Sequence, residues 1–173
     1  MDEDRSDWIS GLVEQHARMV FATAYRILGR ANEAEDVLQD VFLKVLGLGN
    51  GRVPDAIRDW GAYLRTMASR AAINRLHQRR KWRGDTTGPR TGPVAESEDP
   101  SGQEHRAIIL EQAIARLPGR EAEVFSLRYI EDLSYERIAA QMNLSINQVG
   151  VILHRARKRL RKILLRLGVV PGE

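Results

Sequence analysis

Three carboxylates, Glu33, Asp36 and Asp40, fall within one stretch at spacings of three and four. On a helix that spacing lines them along one side, where they would suit general acid/base work or a metal pair if further ligands converged on them. None is apparent elsewhere in the chain. The four histidines, His16, His77, His105 and His154, are scattered without ligand spacing, and there is no cysteine. Disulfides, thiolate chemistry and cysteine-ligated zinc are therefore excluded, and neither a metal nor a cofactor is expected. No glycine-rich phosphate loop, nucleophile elbow or HExxH motif occurs either, so no residue is assigned a catalytic role. Asp40 stands four residues before Lys44, the arrangement of a solvated pair or of a face that docks on another protein.

The stronger chemical signal is cationic. Basic residues gather at Arg75 to Arg83 and again at Arg155 to Arg166, within a chain of 173 residues and net charge +4. Lysine and arginine at helical spacing follow a phosphate backbone and gain from counterion release, which points to a polyanionic partner. Trp60 and Tyr63 sit on an apolar stripe and read as core. Trp82, inside a basic run, reads as an exposed aromatic.

Helices must position these groups. Apolar residues recur at the helical period from Asp7 to Leu28, with Gly29 as a stop, and again from about Asn32 to Leu46. Gly47 to Asp59 is glycine-rich, contains Pro54 and reads as an irregular loop of functional length. A third helix, about Asp59 to Arg83, places Thr66, Arg70, Asn74 and His77 along one side. Gly84 to Gln103 lacks an apolar period and reads as a flexible linker, with a coil span of ~24 Å and a full extension of ~65 Å.

Beyond it, Glu104 to Arg116 reads as a helix with Ala107, Ile108, Ile114 and Leu117 towards a core and Leu110 at its edge. Pro118 opens another, reaching about Tyr129. Then Asp132 to Arg161 has the form of a helix-turn-helix: two amphipathic helices around Asn143-Leu144-Ser145, the second begun by a Ser145/Gln148 capping box. No strand-like alternation appears. The fold class is all-α, two small helical domains at 1–83 and 104–173 joined by a flexible linker at 84–103, the second containing the helix-turn-helix. The acidic N-terminus and the lack of a long apolar run predict a cytoplasmic protein without membrane insertion.

AEDVLQDVFLKV (Ala34 to Val45), WGAYLRTMASRAAINRLHQRRK (Trp60 to Lys81), LPGREAEVFSLRYIEDLSYERIA (Leu117 to Ala139) and HRARKRL (His154 to Leu160) together resemble the successive motifs of bacterial RNA polymerase sigma factors. The layout is similar to the extracytoplasmic-function group of the sigma-70 family. The resemblance implies a non-enzymatic initiation subunit that binds core RNA polymerase and promoter DNA, with an anti-sigma factor as a further partner. It implies that Asp36, Gln39 and Asp40 contact core polymerase. Arg70, Asn74, Arg75, Arg79 and Arg80, with the Gly47 to Asp59 loop, would serve the -10 element. Arg137, Asn147, Gln148, Val151, His154, Arg155 and Lys158 would serve the -35 element.

Four departures from the family pattern stand out. Arg70 and Asn74 replace a usual asparagine and aspartate. Arg137 replaces an acidic residue, which weakens one capping box and adds a phosphate contact. Gly150-Val151-Ile152 occupies a step where basic or hydroxyl side chains are common, shifting -35 readout towards shape and phosphates. The other classes weighed are a stand-alone helix-turn-helix regulator, against which the acidic AEDVLQD helix argues, and a nucleic-acid hydrolase, against which the missing ligand sets argue.

Overall fold

The computed structural model describes residues 2–48, 57–82 and 100–169, with side chains at 7–48, 57–82 and 105–169. Among the described residues there are seven helices and no strand: α1 (Asp2–Leu28), α2 (Ala31–Gly47), α3 (Trp60–Trp82), α4 (Pro100–Ile114), α5 (Gly119–Tyr129), α6 (Tyr135–Met142) and α7 (Ile146–Arg166). They form two compact units, Met1–Ala72 and Ile73–Glu173. None of the described helices is long and apolar enough to cross a membrane.

The first unit begins with a helical hairpin. α1 stops at Gly29, whose φ of 67° is left-handed backbone that glycine adopts without steric penalty, and α2 starts two residues later. The two helices pack along each other. Leu12, Val20, Ala24, Ile27 and Leu28 of α1 are buried, as are Ala34, Val37, Val41, Phe42 and Val45 of α2. Each large side chain among them contributes about 1.5–3 kcal/mol of transfer free energy. α3 starts at a defined cap, Asp59 Oδ1 accepting from the Ala62 amide at 2.9 Å. Its first turns pack on α1 through aromatics. Trp60 meets Trp8 edge-on at 5.3 Å and Tyr63 at 5.7 Å, so Trp60 and Tyr63 are packing residues as expected. His16 also lies here, 3.6 Å from where a side chain on Gly61 would begin.

The second unit is built around α7. Val124 and Leu127 of α5, Leu133, Ile138 and Ala139 around α6, and Val149 and Leu153 of α7 form one buried cluster. Ala113, Ile114 and Leu117 are buried as well. Two expectations fail at α4. The helix begins at Pro100, inside the stretch read as linker, because proline is well suited to a first helical turn even where its neighbours suggest coil. Ala107, Ile108 and Leu110 are exposed, since burial along α4 begins only at Ala113.

The division between the two units falls within α3, between Ala72 and Ile73. Inside the second unit the Arg79 guanidinium pairs with the Glu111 carboxylate of α4, and His77 Nε2 lies 3.0 Å from the Leu117 carbonyl oxygen. These contacts bind the basic end of α3 to α4 and to the turn before α5.

Candidate nucleic-acid interface

α6 and α7 owe their relation to two caps and a left-handed turn. Ser134 Oγ accepts from the Arg137 amide at 3.3 Å and starts α6. No carboxylate stands at position 137 to close a reciprocal box, as the sequence implied. Backbone hydrogen bonding at Glu136, then the Ser134 hydroxyl, holds the Glu136 carboxyl below its ordinary value of 4.5. α6 ends at Asn143, with φ 52° and ψ 53°, a conformation in which asparagine is one of the few tolerated residues. The Leu144 amide then reaches back to the Ala139 carbonyl at 2.9 Å, and the Leu144 side chain packs on the buried cluster. That combination is a Schellman stop with its hydrophobic contact. Ser145 opens α7 immediately: its Oγ accepts from the Gln148 amide at 3.2 Å while Gln148 Oε1 accepts from the Ser145 amide at 2.8 Å. The capping box predicted from sequence is present, and it also fixes the rotamer of Gln148.

Along α7 two stripes separate cleanly. Val149, Leu153, Ala156 and Leu160 are buried, whereas Asn147, Gln148, Val151, His154, Arg155 and Lys158 are all exposed. At about 100° per residue those six positions span roughly 120° of the helix surface, opposite the buried stripe. Such a stripe, with a capped polar start and cations towards its far end, has the form of a recognition helix: polar groups for base edges, lysine and arginine for phosphates.

The apolar step at Gly150-Val151-Ile152 resolves into three directions. Gly150 faces Tyr135 of α6, whose ring edge would lie 3.9 Å from an added Cβ. Ile152 packs against the buried cluster. Only Val151, 50% exposed, looks outward, where an apolar side chain can meet a thymine methyl.

Arg128 was not singled out from sequence, yet it fixes the turn that leads into α6. Its Nη1 donates to Asp132 Oδ1 at 3.1 Å and to the Leu133 carbonyl at 3.2 Å. Its guanidinium carbon lies 5.9 Å from the Tyr129 ring centre and 6.0 Å from that of Tyr135. Asp132 has φ 50°, so the arginine braces a turn in an uncommon conformation. The four-residue Arg128/Asp132 spacing was the available signal. Arg159, inside the C-terminal basic run, is tied to α5 by a 3.0 Å contact of Nε with Glu121 Oε2.

The remaining predicted residues fall on α2, α3 and α6. Arg137 is exposed on α6. Asp36 and Gln39 are exposed and Asp40 is partly so, on the same side of α2 as Leu43, which is 64% exposed. On α3, Arg70 and Asn74 are exposed, while Arg75, Arg79 and Arg80 are partly buried. Residues 49–56, most of the loop expected to form the -10 pocket, lie outside the described residues, as do residue 83 and residues 84–99 of the expected linker.

Comparisons with known proteins bear on the family and the fold. The profile for Sigma-70 region 2 matches residues 12–83, and that for Sigma-70, region 4 matches residues 107–160. RNA polymerase sigma factor YlaC of Bacillus subtilis is 30% identical over 161 residues, covering 90% of this chain and 91% of that protein. The ECF RNA polymerase sigma factor SigE of Mycolicibacterium smegmatis is 29% identical, covering 88% of this chain, which spans 60% of SigE's length. In fold the chain is similar to the sigma factor RpoE of Bartonella quintana, solved in complex with the anti-sigma factor NepR. There the TM-score is 0.51 at 20% identity, covering 95% of this chain and 98% of that one. With both domain profiles matched in order and a relative 30% identical along nearly its whole length, the chain belongs to the extracytoplasmic-function group of sigma-70 family sigma factors, which direct RNA polymerase to promoters.

Proposed function

We propose that this sigma factor divides promoter recognition between its two basic helices and docks on core RNA polymerase through α2. Residues 1–83 act as the region 2 domain and 104–173 as the region 4 domain, joined by 84–103, whose last residues already begin α4. In this reading Asp36, Gln39 and Asp40, with Leu43 beside them, meet core polymerase. Arg70, Asn74, Arg75, Arg79 and Arg80 serve the -10 element. Arg137, Asn147, Gln148, Val151, His154, Arg155 and Lys158 serve the -35 element. The observation that carries it is the outward stripe of α7, capped at one end and cationic towards the other, opposite an unbroken buried stripe. The protein acts in the cytoplasm, performs no catalysis of its own, and is held in check by an anti-sigma factor.

In vitro transcription from a matched promoter tests this, with purified core polymerase in the presence and absence of the protein. A specific transcript only when both are present is the expected result. Tight promoter binding by the protein alone, with no specific transcript from the mixture, would instead indicate a stand-alone regulator. Asp36→Arg and Asp40→Arg should each weaken core binding and leave the folding of the second unit unchanged. Equal core affinity for all three proteins removes the docking assignment.

A further inference from the structure

Trp82 closes α3 with its side chain 90% exposed, the most exposed of the large apolar side chains among the described residues. The chain's other two tryptophans, Trp8 and Trp60, are partly buried against each other. An indole left in water at a helix end contributes nothing to the fold, and its surroundings indicate what covers it. α3 carries Arg65, Arg70, Arg75, Arg79, Arg80 and Lys81 and no aspartate or glutamate anywhere along its length. That charge balance suits a polyanion and disfavours a basic protein surface. At about 100° per residue, Trp82 continues the side of α3 that holds Asn74, Arg75 and Gln78, and Asn74 lies ~12 Å back along the axis. Asn74 and Gln78 are exposed. The side thus presents amides that can bond to base edges and, at its end, an aromatic face.

Bases in duplex DNA offer their edges, because their faces are covered by neighbours. A free indole face is complementary to a base that has left the stack, and aromatic stacking beside cations is a general mode of single-strand binding. We propose that Trp82 is a stacking platform for an unpaired base of promoter DNA, at the end of the Asn74–Arg75–Gln78 side of α3. The inference rests on the promoter reading above and adds a residue to it.

The test uses holoenzyme reconstituted from core polymerase and the full chain, as wild type, Trp82→Ala and Trp82→Phe. The probes are a mixed-sequence single-stranded oligonucleotide and a duplex of the same length, at fixed salt. Trp82→Ala should weaken single-strand binding by ~5-fold or more and duplex binding by less than about 2-fold, with Trp82→Phe close to wild type. Unchanged single-strand affinity in Trp82→Ala overturns the proposal. So does weaker assembly with core when the assembled holoenzyme binds DNA normally, since Trp82 would then be a protein contact. Wild-type holoenzyme that binds the single strand no better than core alone strikes the promoter reading itself, and the stacking proposal falls with it.

Discussion

α3 and α7 both end in runs of arginine and lysine, yet the structure treats the two runs differently. On α7 the cations at 155 and 158 stand outward on the exposed stripe, while Arg159 is tied back to α5. On α3 the cations are spread around the helix, and Arg79 is held with only 13% of its side chain exposed against Glu111. A run of positive charge is therefore not a single surface. One such helix presents its cations, and the other divides them between holding the fold and facing solvent.

That contrast can be broken or sharpened by substitution. The largest effect is expected at Leu153→Ala, on the buried stripe of α7, which should destabilise the second unit by about 2–5 kcal/mol, read by urea unfolding. A loss as small as that of a surface substitution would mean the two stripes are not distinct. Next comes Arg79→Ala, which leaves the largely buried Glu111 without this partner and should cost ~1–3 kcal/mol of stability. Ser145→Ala removes half of the capping box and should cost ~1 kcal/mol. The counterpart of Arg79→Ala is Arg155→Ala, expected to change stability by less than ~0.5 kcal/mol while lowering the slope of -35 binding against log salt by ~1. If Arg79 and Arg155 behaved alike in both measurements, the distinction between the two runs would be gone.

The smallest effect concerns Glu136. Its folded carboxyl titrates below 4.5, so the stabilisation it brings is fully present above that value and fades as pH falls through the lower folded value. Glu136→Gln should flatten a small acid-side slope in the unfolding midpoint as pH falls below 4.5. An unchanged slope would remove the Ser134–Glu136 contribution to the start of α6.

The features legible in the sequence are those set by local rules. The stripes of α1, α2, α5 and α7 follow from a 3.6-residue period, and the Ser145–Gln148 box from a three-residue spacing. The Arg79–Glu111 pair joins residues 32 apart, and no periodicity announces such a partner. The start of α4 was missed for the opposite reason: Pro100-Ser101-Gly102 has the composition of coil but also of a first helical turn. The direction of Gly150 needed the placement of Tyr135, which depends on how α6 crosses α7. Val151 stands out in the sequence as the apolar member of an otherwise polar set of -35 positions, but its isolation between one inward and one sideways neighbour required the packed helices.

Gly150 also bears on how this protein can change over generations. A methyl added there meets Tyr135 at an ordinary contact distance, so alanine fits without displacing α6. Alanine in a helix interior is favoured over glycine by about 0.8–1.0 kcal/mol. Gly150→Ala should therefore raise thermal stability without touching the six outward positions. A lineage holding such an unused margin can absorb destabilising substitutions on the stripe next to it while the helix stays folded, and under the proposed -35 role those substitutions would carry it towards new promoter sequences.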